Sequence, residues 1–284
     1  GLFGYVGSGG RVQNVNVVDS YINVNVRDRV NVYVGGVCGY NYGTITNCSF
    51  AGSVTGTGTG SGISTCVGGV SGYNNSGTIT NCRNTGSVTS SVNGNNYVGG
   101  VSGNNYSGTI TNCYNTGSVT GTGTVNYVGG VCAANSGMIM NCYNTDSVTG
   151  SGTGVQYLYV GGVCGYNSET ITNCYWREDT GLNGCGRDIG TVTNVKSKTA
   201  EEFASGEVTW LLNRYQENGP WRQTLSEGND NYPTLDSTQG RVFQVMLDGT
   251  DCYCNGSFTI PASPSRPGYT FDGWKDDYGN SYFD

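Results

Sequence analysis

The chain contains no histidine. That excludes Ser-His-Asp and Cys-His catalysis, histidine general-base chemistry and every zinc site that needs an imidazole. Charge is scarce: 12% of residues are Asp, Glu, Lys or Arg, and the net charge is −7. An acidic chain lacks the basic face of a nucleic-acid groove, so no nucleic-acid partner is expected. Proline falls to 5 residues against 49 glycines, which rules out the Pro-rich Gly-X-Y triplets of collagen. No apolar run approaches the ~18 residues of a membrane span. The 21 tyrosines and the many valines set the chain apart from disordered sequences, which are charge-rich and poor in such residues.

The few charges are unevenly placed. Residues 1–175 carry four basic groups (Arg11, Arg27, Arg29, Arg83) and four acidic ones (Asp19, Asp28, Asp146, Glu169), so the −7 belongs wholly to residues 176–284. That shift near residue 175 marks a domain boundary. No leader or anchor is legible at Gly1, which opens inside a motif, and the chain reads as a fragment of a longer protein.

One block recurs five times, beginning at Val34 (VGGVCGYNYGTITNC), Val67, Val98, Val128 and Val160. A degenerate copy leads the chain. Length varies only in the Gly/Thr/Ser/Asn stretch before each VGG, for example 56–64, as in an external loop. The blocks have no helical period; short Val/Ile/Thr/Tyr runs stand between Gly and Asn, which is strand punctuation. A unit of about 30 residues with three short strands cannot bury an apolar face alone. Stacked at ~4.8 Å it makes a β-solenoid roughly 25–30 Å long.

Within the block, Val34 and Val37, then Ile45 and Cys48, sit three apart, which breaks strand alternation. The chain must bend at Gly35-Gly36 and at Thr46-Asn47, through the positive φ that Gly and Asn tolerate. The recurring Asn14, Asn47, Asn81, Asn112, Asn141 and Asn173 predict a corner ladder of stacked amides rather than a binding site.

The opening G-L-F-G-Y-V and the VGG-V-x-G…G-T-I-T-N-C blocks resemble the GLUG repeat of bacterial surface proteins, over residues 1–176. The resemblance implies an extracellular, cell-surface or cell-wall location, often in a large adhesin-like protein, and no catalytic residue. Some secreted immunoglobulin A peptidases carry such repeats outside their catalytic domains.

Residues 177–240 read as a capping segment. A solenoid's last coil exposes raw strand edges, and the segment is expected to cover them, with Trp176, Trp210 and Trp221 over the core. Thr199 with Glu202 forms a capping box for a helix over about 199–213, whose stripe is Phe203, Val208, Leu211 and Leu212. The run T-A-E-E-F-A-S-G-E-V resembles the segment that often follows GLUG repeats. Residues 241–284 predict strands at 241–247 and 257–261, then R-P-G-Y-T-F-D-G-W. That string resembles the Listeria–Bacteroides or internalin B-repeat, a β-grasp-like module, and the match reaches the end of the chain.

Twelve cysteines invite a metal or disulfide reading. Cys48, Cys82, Cys113, Cys142 and Cys174 share one repeat position, and Cys38, Cys132 and Cys164 another, with Ser71 and Ser102 in the remaining coils. Repeat-locked cysteine reads first as a reduced, buried row. A Cys38–Cys48 disulfide is the alternative, although Cys82 and Cys113 lack the matching partner. No close C-x₂₋₄-C pair supports zinc, and no cofactor is expected. Four scattered acids in the solenoid argue against a glycosidase pair.

Tyr97, Tyr127 and Tyr159 precede VGG, and Tyr114 and Tyr143 follow the repeat cysteine. As outward rows they would suit sugar stacking; as strand residues they pair across strands, the simpler reading.

The expected fold is all-β: a β-solenoid over 1–176, a short helix-containing cap over 177–240 and a small β-grasp-like module over 241–284. The expected function is that of a non-catalytic, monomeric segment of a surface protein, acting in adhesion or as a projecting scaffold toward a host or environmental glycan or matrix protein. An accessory region of a secreted immunoglobulin A peptidase is the alternative, and a β-helix carbohydrate-active enzyme a more remote one.

Overall fold

In the computed structural model, residues 1–27, 30–59, 64–152, 156–216, 218–225, 232–247 and 250–256 and the pairs 267–268, 274–275 and 281–282 are described. The chain winds as a parallel β-solenoid. In the coil that opens at Val32 four strands succeed one another: Val32–Gly35, Cys38–Asn41, Thr44–Thr46 and Ser49–Gly58. Each pairs in parallel with its equivalent one coil on, so Val34, Val67, Val98, Val128 and Val160 stack in register. Part of the variable stretch before each VGG prolongs the strands, as Gly56, Thr57 and Gly58 do in register with Ser90, Ser91 and Val92, and its residues 60–63 lie outside the described residues.

On the second face the ladder has seven layers, from Phe3–Val6 to Cys185–Asp188. Six steps of about 4.8 Å make a stack about 29 Å long. The last layer corrects the sequence-based boundary. Cys185–Asp188 and Thr191–Lys198 pair in parallel with Cys164–Asn167 and Thr170–Arg177, so the ladder runs through residues assigned to the cap. Gly190-Thr191-Val192-Thr193-Asn194 is a degenerate repeat in which Val stands for Ile.

Two apolar columns fill the interior. Val37, Ile45 and Cys48 and their counterparts form one, and Val34 and Val54 with theirs the other. These residues are almost all fully enclosed. Each buried valine or isoleucine contributes roughly 1.5–3 kcal/mol.

The two bends work differently. At the asparagine corner every residue of the ladder has φ between 51 and 57°. Each amide donates to the one before it, Asn47 to Asn14 and Asn81 to Asn47 at 3.2 Å, and so on to Asn194. At the Gly-Gly bend neither glycine has positive φ, contrary to the sequence reading. The requirement there is close approach: a Cβ on Gly36 would fall 2.3 Å from the Phe50 ring, and one on Gly100 would fall 2.1 Å from the Gly130 carbonyl.

That crowding comes from the next coil's backbone and from an inward column the sequence reading missed. Asn84, Asn115 and Asn144 point into the solenoid and bond in series at 2.7 Å, between Phe50 at one end and Trp176 at the other. A second buried series runs Asn41, Asn74, Asn105, Asn135 and Asn167 at 2.7–2.8 Å and ends on Asp188 Oδ1. Buried amides are tolerated because each finds its partners in the adjacent coil.

After the ladder the chain forms two short helices, α1 (Ala200–Ala204) and α2 (Glu207–Leu212). The single helix expected over 199–213 is broken by Gly206, whose φ of 95° is open to glycine. The Thr199–Glu202 capping box is present with both bonds formed. Gln223 Nε2 donates to the carbonyls of Phe203 and Ala204, and Asn213 exchanges two bonds with Trp221.

This segment does not close the end of the stack. It lies along the flank as a brace: Phe203, Val208, Leu212 and Trp221 pack on Tyr114, Tyr143 and Tyr175 of three successive coils. Trp176 sits inside the solenoid, so the expected arrangement of tryptophans over the last coil does not occur. The terminal layer is instead marked by Arg187, Asp188, Lys196 and Lys198, and charge on an edge discourages further pairing.

Beyond the brace, Phe243–Leu247 and Thr250–Cys254 form an antiparallel hairpin, and Trp274–Lys275 pairs with Ser281–Tyr282. The strand expected at 257–261 and most of the R-P-G-Y-T-F-D-G-W string lie outside the described residues.

Candidate functional site

Outward positions of the first two faces bring tyrosines to one corner. Tyr33, Cys66, Tyr97, Tyr127 and Tyr159 share one register position. Tyr5, Tyr40, Tyr73, Asn104, Ala134, Tyr166 and Arg187 share another. The rows meet across the Gly-Gly bend: Tyr33 lies 5.5 Å from Tyr40 and 4.8 Å from Tyr73, and Tyr127 lies 5.9 Å from Tyr166. Outward side chains of successive strands can touch only where the corner is concave, so the rows line a furrow.

Tyr97 and Tyr127 are parallel within 2°, with centroids 4.8 Å apart. Rings lying side by side in one plane could not come so close, so the pair is offset-stacked. Much of each face that a sugar would cover is therefore occupied by the neighbouring ring. The furrow presents ring edges and phenolic hydroxyls. At its far end the Arg187 guanidinium lies over the Tyr159 ring and donates to its hydroxyl at 2.8 Å. Midway along the second row the short Asn104 and Ala134 interrupt the tyrosines, between Tyr73 and Tyr166.

Burial pushes the Tyr97 and Tyr73 hydroxyls up to about 12, with smaller contributions from neighbouring tyrosines. Those phenols stay neutral near pH 7, as hydrogen-bond donors and acceptors. Beneath them Cys66 is fully buried, and burial raises its thiol well above the ordinary value.

Tyr114 and Tyr143, the other two candidate ligand residues, are not on the furrow. They belong to the row Ser49, Arg83, Tyr114, Tyr143, Tyr175 and Lys196 on the fourth face. Tyr143 is fully buried and Tyr114 nearly so, both against Trp221. A row of aromatics after the repeat cysteine reads equally as a ligand strip or a docking strip. Only the later apolar segment, folded back, distinguishes them.

The cysteines at the two repeat positions form internal rows with free thiols. The backbone N–H groups of Cys48, Cys82 and Cys113 each donate at 3.4 Å to the Sγ of the next cysteine in the row, from Cys82 through Cys142. Each of the five thiols also donates to the carbonyl two residues before it. Burial lifts the Cys82, Cys113 and Cys142 thiols well above their ordinary value, so they remain protonated and weakly nucleophilic. Cys38, Ser71, Ser102, Cys132 and Cys164 all donate to the carbonyl two residues ahead, which explains why serine and cysteine alternate there. Among the described residues no cluster of three or more His, Cys, Asp or Glu side chains could hold a metal ion.

The family model described as the GLUG motif matches residues 30–55, 63–89 and 94–120. GLUG repeats fit a region of a surface or secreted protein. No curated protein is significantly similar in sequence. A crystal structure of a "putative immunoglobulin A1 protease" from Bacteroides ovatus is 16% identical and covers 81% of this chain and 87% of its own, at a TM-score of 0.41. At that identity and score the likeness does not bear on activity. Among the described residues no helix is long and apolar enough to cross a membrane.

Proposed function

We propose that the chain is a non-catalytic projecting segment of a bacterial surface protein, which holds a binding surface away from its point of attachment and acts in adhesion. One observation carries this reading. The inward positions of the stack are filled mainly by Val, Ile, Cys and Asn satisfied by one another, so most of the positions that vary from coil to coil lie outside. A rigid rod with a repeating interior and a varied exterior suits presentation better than chemistry. The furrow's hydroxyls and the side-chain amides on the surface favour polar partners, of which host or environmental glycans and matrix proteins are the natural classes.

The test is a binding screen of the purified chain against glycans and host matrix proteins, with immunoglobulin A and plant and host polysaccharides monitored in parallel for cleavage. Saturable binding without product is the expected result. Hydrolysis of immunoglobulin A or release of sugars by the chain would overturn the reading.

A further inference from the structure

We propose that a cleft at the open margin of the brace binds a carboxylated sugar, with Arg83 as its anchor. The proposal rests on the reading of the solenoid as a binding scaffold and adds a site away from the tyrosine furrow. The fourth-face row is aromatic wherever the brace covers it, at Tyr114, Tyr143 and Tyr175. One coil earlier the same position is Arg83, and beyond it Ser49. There the brace ends, and Pro220 and Leu235 overhang a cleft of about 260 Å³. Ligand sites usually measure about 300–1,000 Å³, so this one suits a single ring.

Arg83 is half-buried and makes none of the ion pairs found among the described residues, which join Arg177 to Asp179 and Lys198 to Glu202 and Glu207. Its field reaches Asp236, whose carboxyl is held below its usual range mainly by Thr238 and only lastly by Arg83. It also opposes the upward push of burial on the Tyr114 hydroxyl, by its charge and by a side-chain hydrogen bond to it. Residues 1–175 carry four cations, and one of them occupies a position that the next three coils give to tyrosine.

The floor of the cleft includes Asn47 and Asn81 of the corner ladder. Each amide has two N–H groups and two lone pairs. Asn47 and Asn81 spend one N–H and one lone pair along the ladder and make no other side-chain bond among the described residues. Under the brace the spare capacity is used: Asn173 donates also to the Leu211 carbonyl and accepts from the Tyr175 hydroxyl. In the cleft it is open. Ser49 Oγ, bonded to Asn16 Oδ1 at 2.7 Å, adds a hydroxyl.

A guanidinium pairs a carboxylate through two parallel bonds. Paired donors and acceptors match vicinal hydroxyls, and the Pro220 and Leu235 rim offers a surface for ring C–H groups. A peptide carboxylate would engage Arg83 but leave the amides without hydroxyl partners, so the sugar fits better.

The test is an NMR titration of the whole chain with sodium D-glucuronate, methyl glucoside and a glutamate-containing tripeptide. Glucuronate should shift the Arg83 Nε–H and Asn81 side-chain signals saturably, and methyl glucoside should bind roughly tenfold or more weakly, as loss of a charge-assisted pair implies. Arg83→Gln should weaken glucuronate to the same degree. Arg83→Tyr, which extends the aromatic row already present and so keeps the fold, should abolish the response. Equal binding of the tripeptide would overturn the sugar. Unchanged glucuronate binding in Arg83→Tyr, or shifts confined to the furrow tyrosines, would overturn the cleft while leaving the scaffold reading intact.

Discussion

The ring of Tyr143 stands 5.5 Å from the indole of Trp221, and its hydroxyl donates to the carbonyl of Pro233. Through this contact a segment far along the chain ties down the flank of the coils. Such a brace couples three layers laterally, whereas an end cap would touch only one.

Trp221→Ala should therefore release the brace and leave the coils folded. Truncating a buried Trp costs about 3–5 kcal/mol. Urea unfolding monitored by tryptophan fluorescence should show an early transition, with the far-ultraviolet β signal lost only later. A single coincident transition, shifted as a whole, would mean that brace and coils unfold as one unit.

The brace should also respond to pH through Lys198, which bonds Glu202 at 2.7 Å and pairs with Glu207. Burial opposes both charges, yet the pairing wins: Glu202 is held below its ordinary 4.5 and Lys198 above its ordinary 10.5. The depressed acid contributes stability that is full above about 4.5 and lost as pH falls through its folded value. The raised base contributes stability that is full below about 10.5 and lost as pH rises through its folded value. The early fluorescence transition should weaken on both sides of that window, and Lys198→Met should flatten the dependence.

Much of this architecture is legible in the repeat. The three-residue steps from Val34 to Val37 and from Ile45 to Cys48 locate the bends, and the asparagine at each corner is explained by its tolerance of positive φ. What the sequence conceals is which asparagines face inward. Asn84, Asn115 and Asn144 stand at positions that Phe50 and Trp176 fill elsewhere, a clue that the site is internal. Tyr114 and Tyr143 mislead for a complementary reason: their burial depends on a segment no local pattern places against them. The terminal half-coil is missed because Val192 and Val195 replace the Ile and Cys of the motif.

The two glycine environments give a direct comparison. Gly100→Ala places a Cβ 2.1 Å from the Gly130 carbonyl and 2.4 Å from Asn115, whereas nothing lies within 4 Å of a Cβ on Gly4. Overpacking costs typically about 1–3 kcal/mol. Gly100→Ala should lower the thermal midpoint by several degrees or abolish soluble expression, and Gly4→Ala should match the unchanged chain.

The two amide ladders should likewise differ. Asn105→Ala leaves one N–H of the Asn74 amide without its acceptor and strips Asn135 Oδ1 of its 2.8 Å donor, leaving it only the Gly137 N–H at 3.3 Å, and both residues are fully buried. An orphaned buried group costs about 1–3 kcal/mol. Asn112→Gly, at a corner with φ of 51°, removes only half-exposed bonds and suits the backbone. Chemical denaturation should show a large loss for the first and a small one for the second. Equal losses would contradict the assignment of the buried series as structural.

The in-register stack on which the whole account stands is tested most directly by engineered cross-linking. Thr89, Thr120 and Thr149 occupy one register position in three successive coils, and the hydroxyls of Thr120 and Thr149 are 3.1 Å apart. Neighbouring parallel strands lie within the Cα separation a disulfide spans, and strands two layers apart do not. After mild oxidation and peptide mapping by mass spectrometry, Thr120→Cys with Thr149→Cys should yield the 120–149 disulfide in most molecules, and Thr89→Cys with Thr149→Cys should yield none. A 89–149 cross-link at comparable yield, or no 120–149 cross-link, would contradict the solenoid.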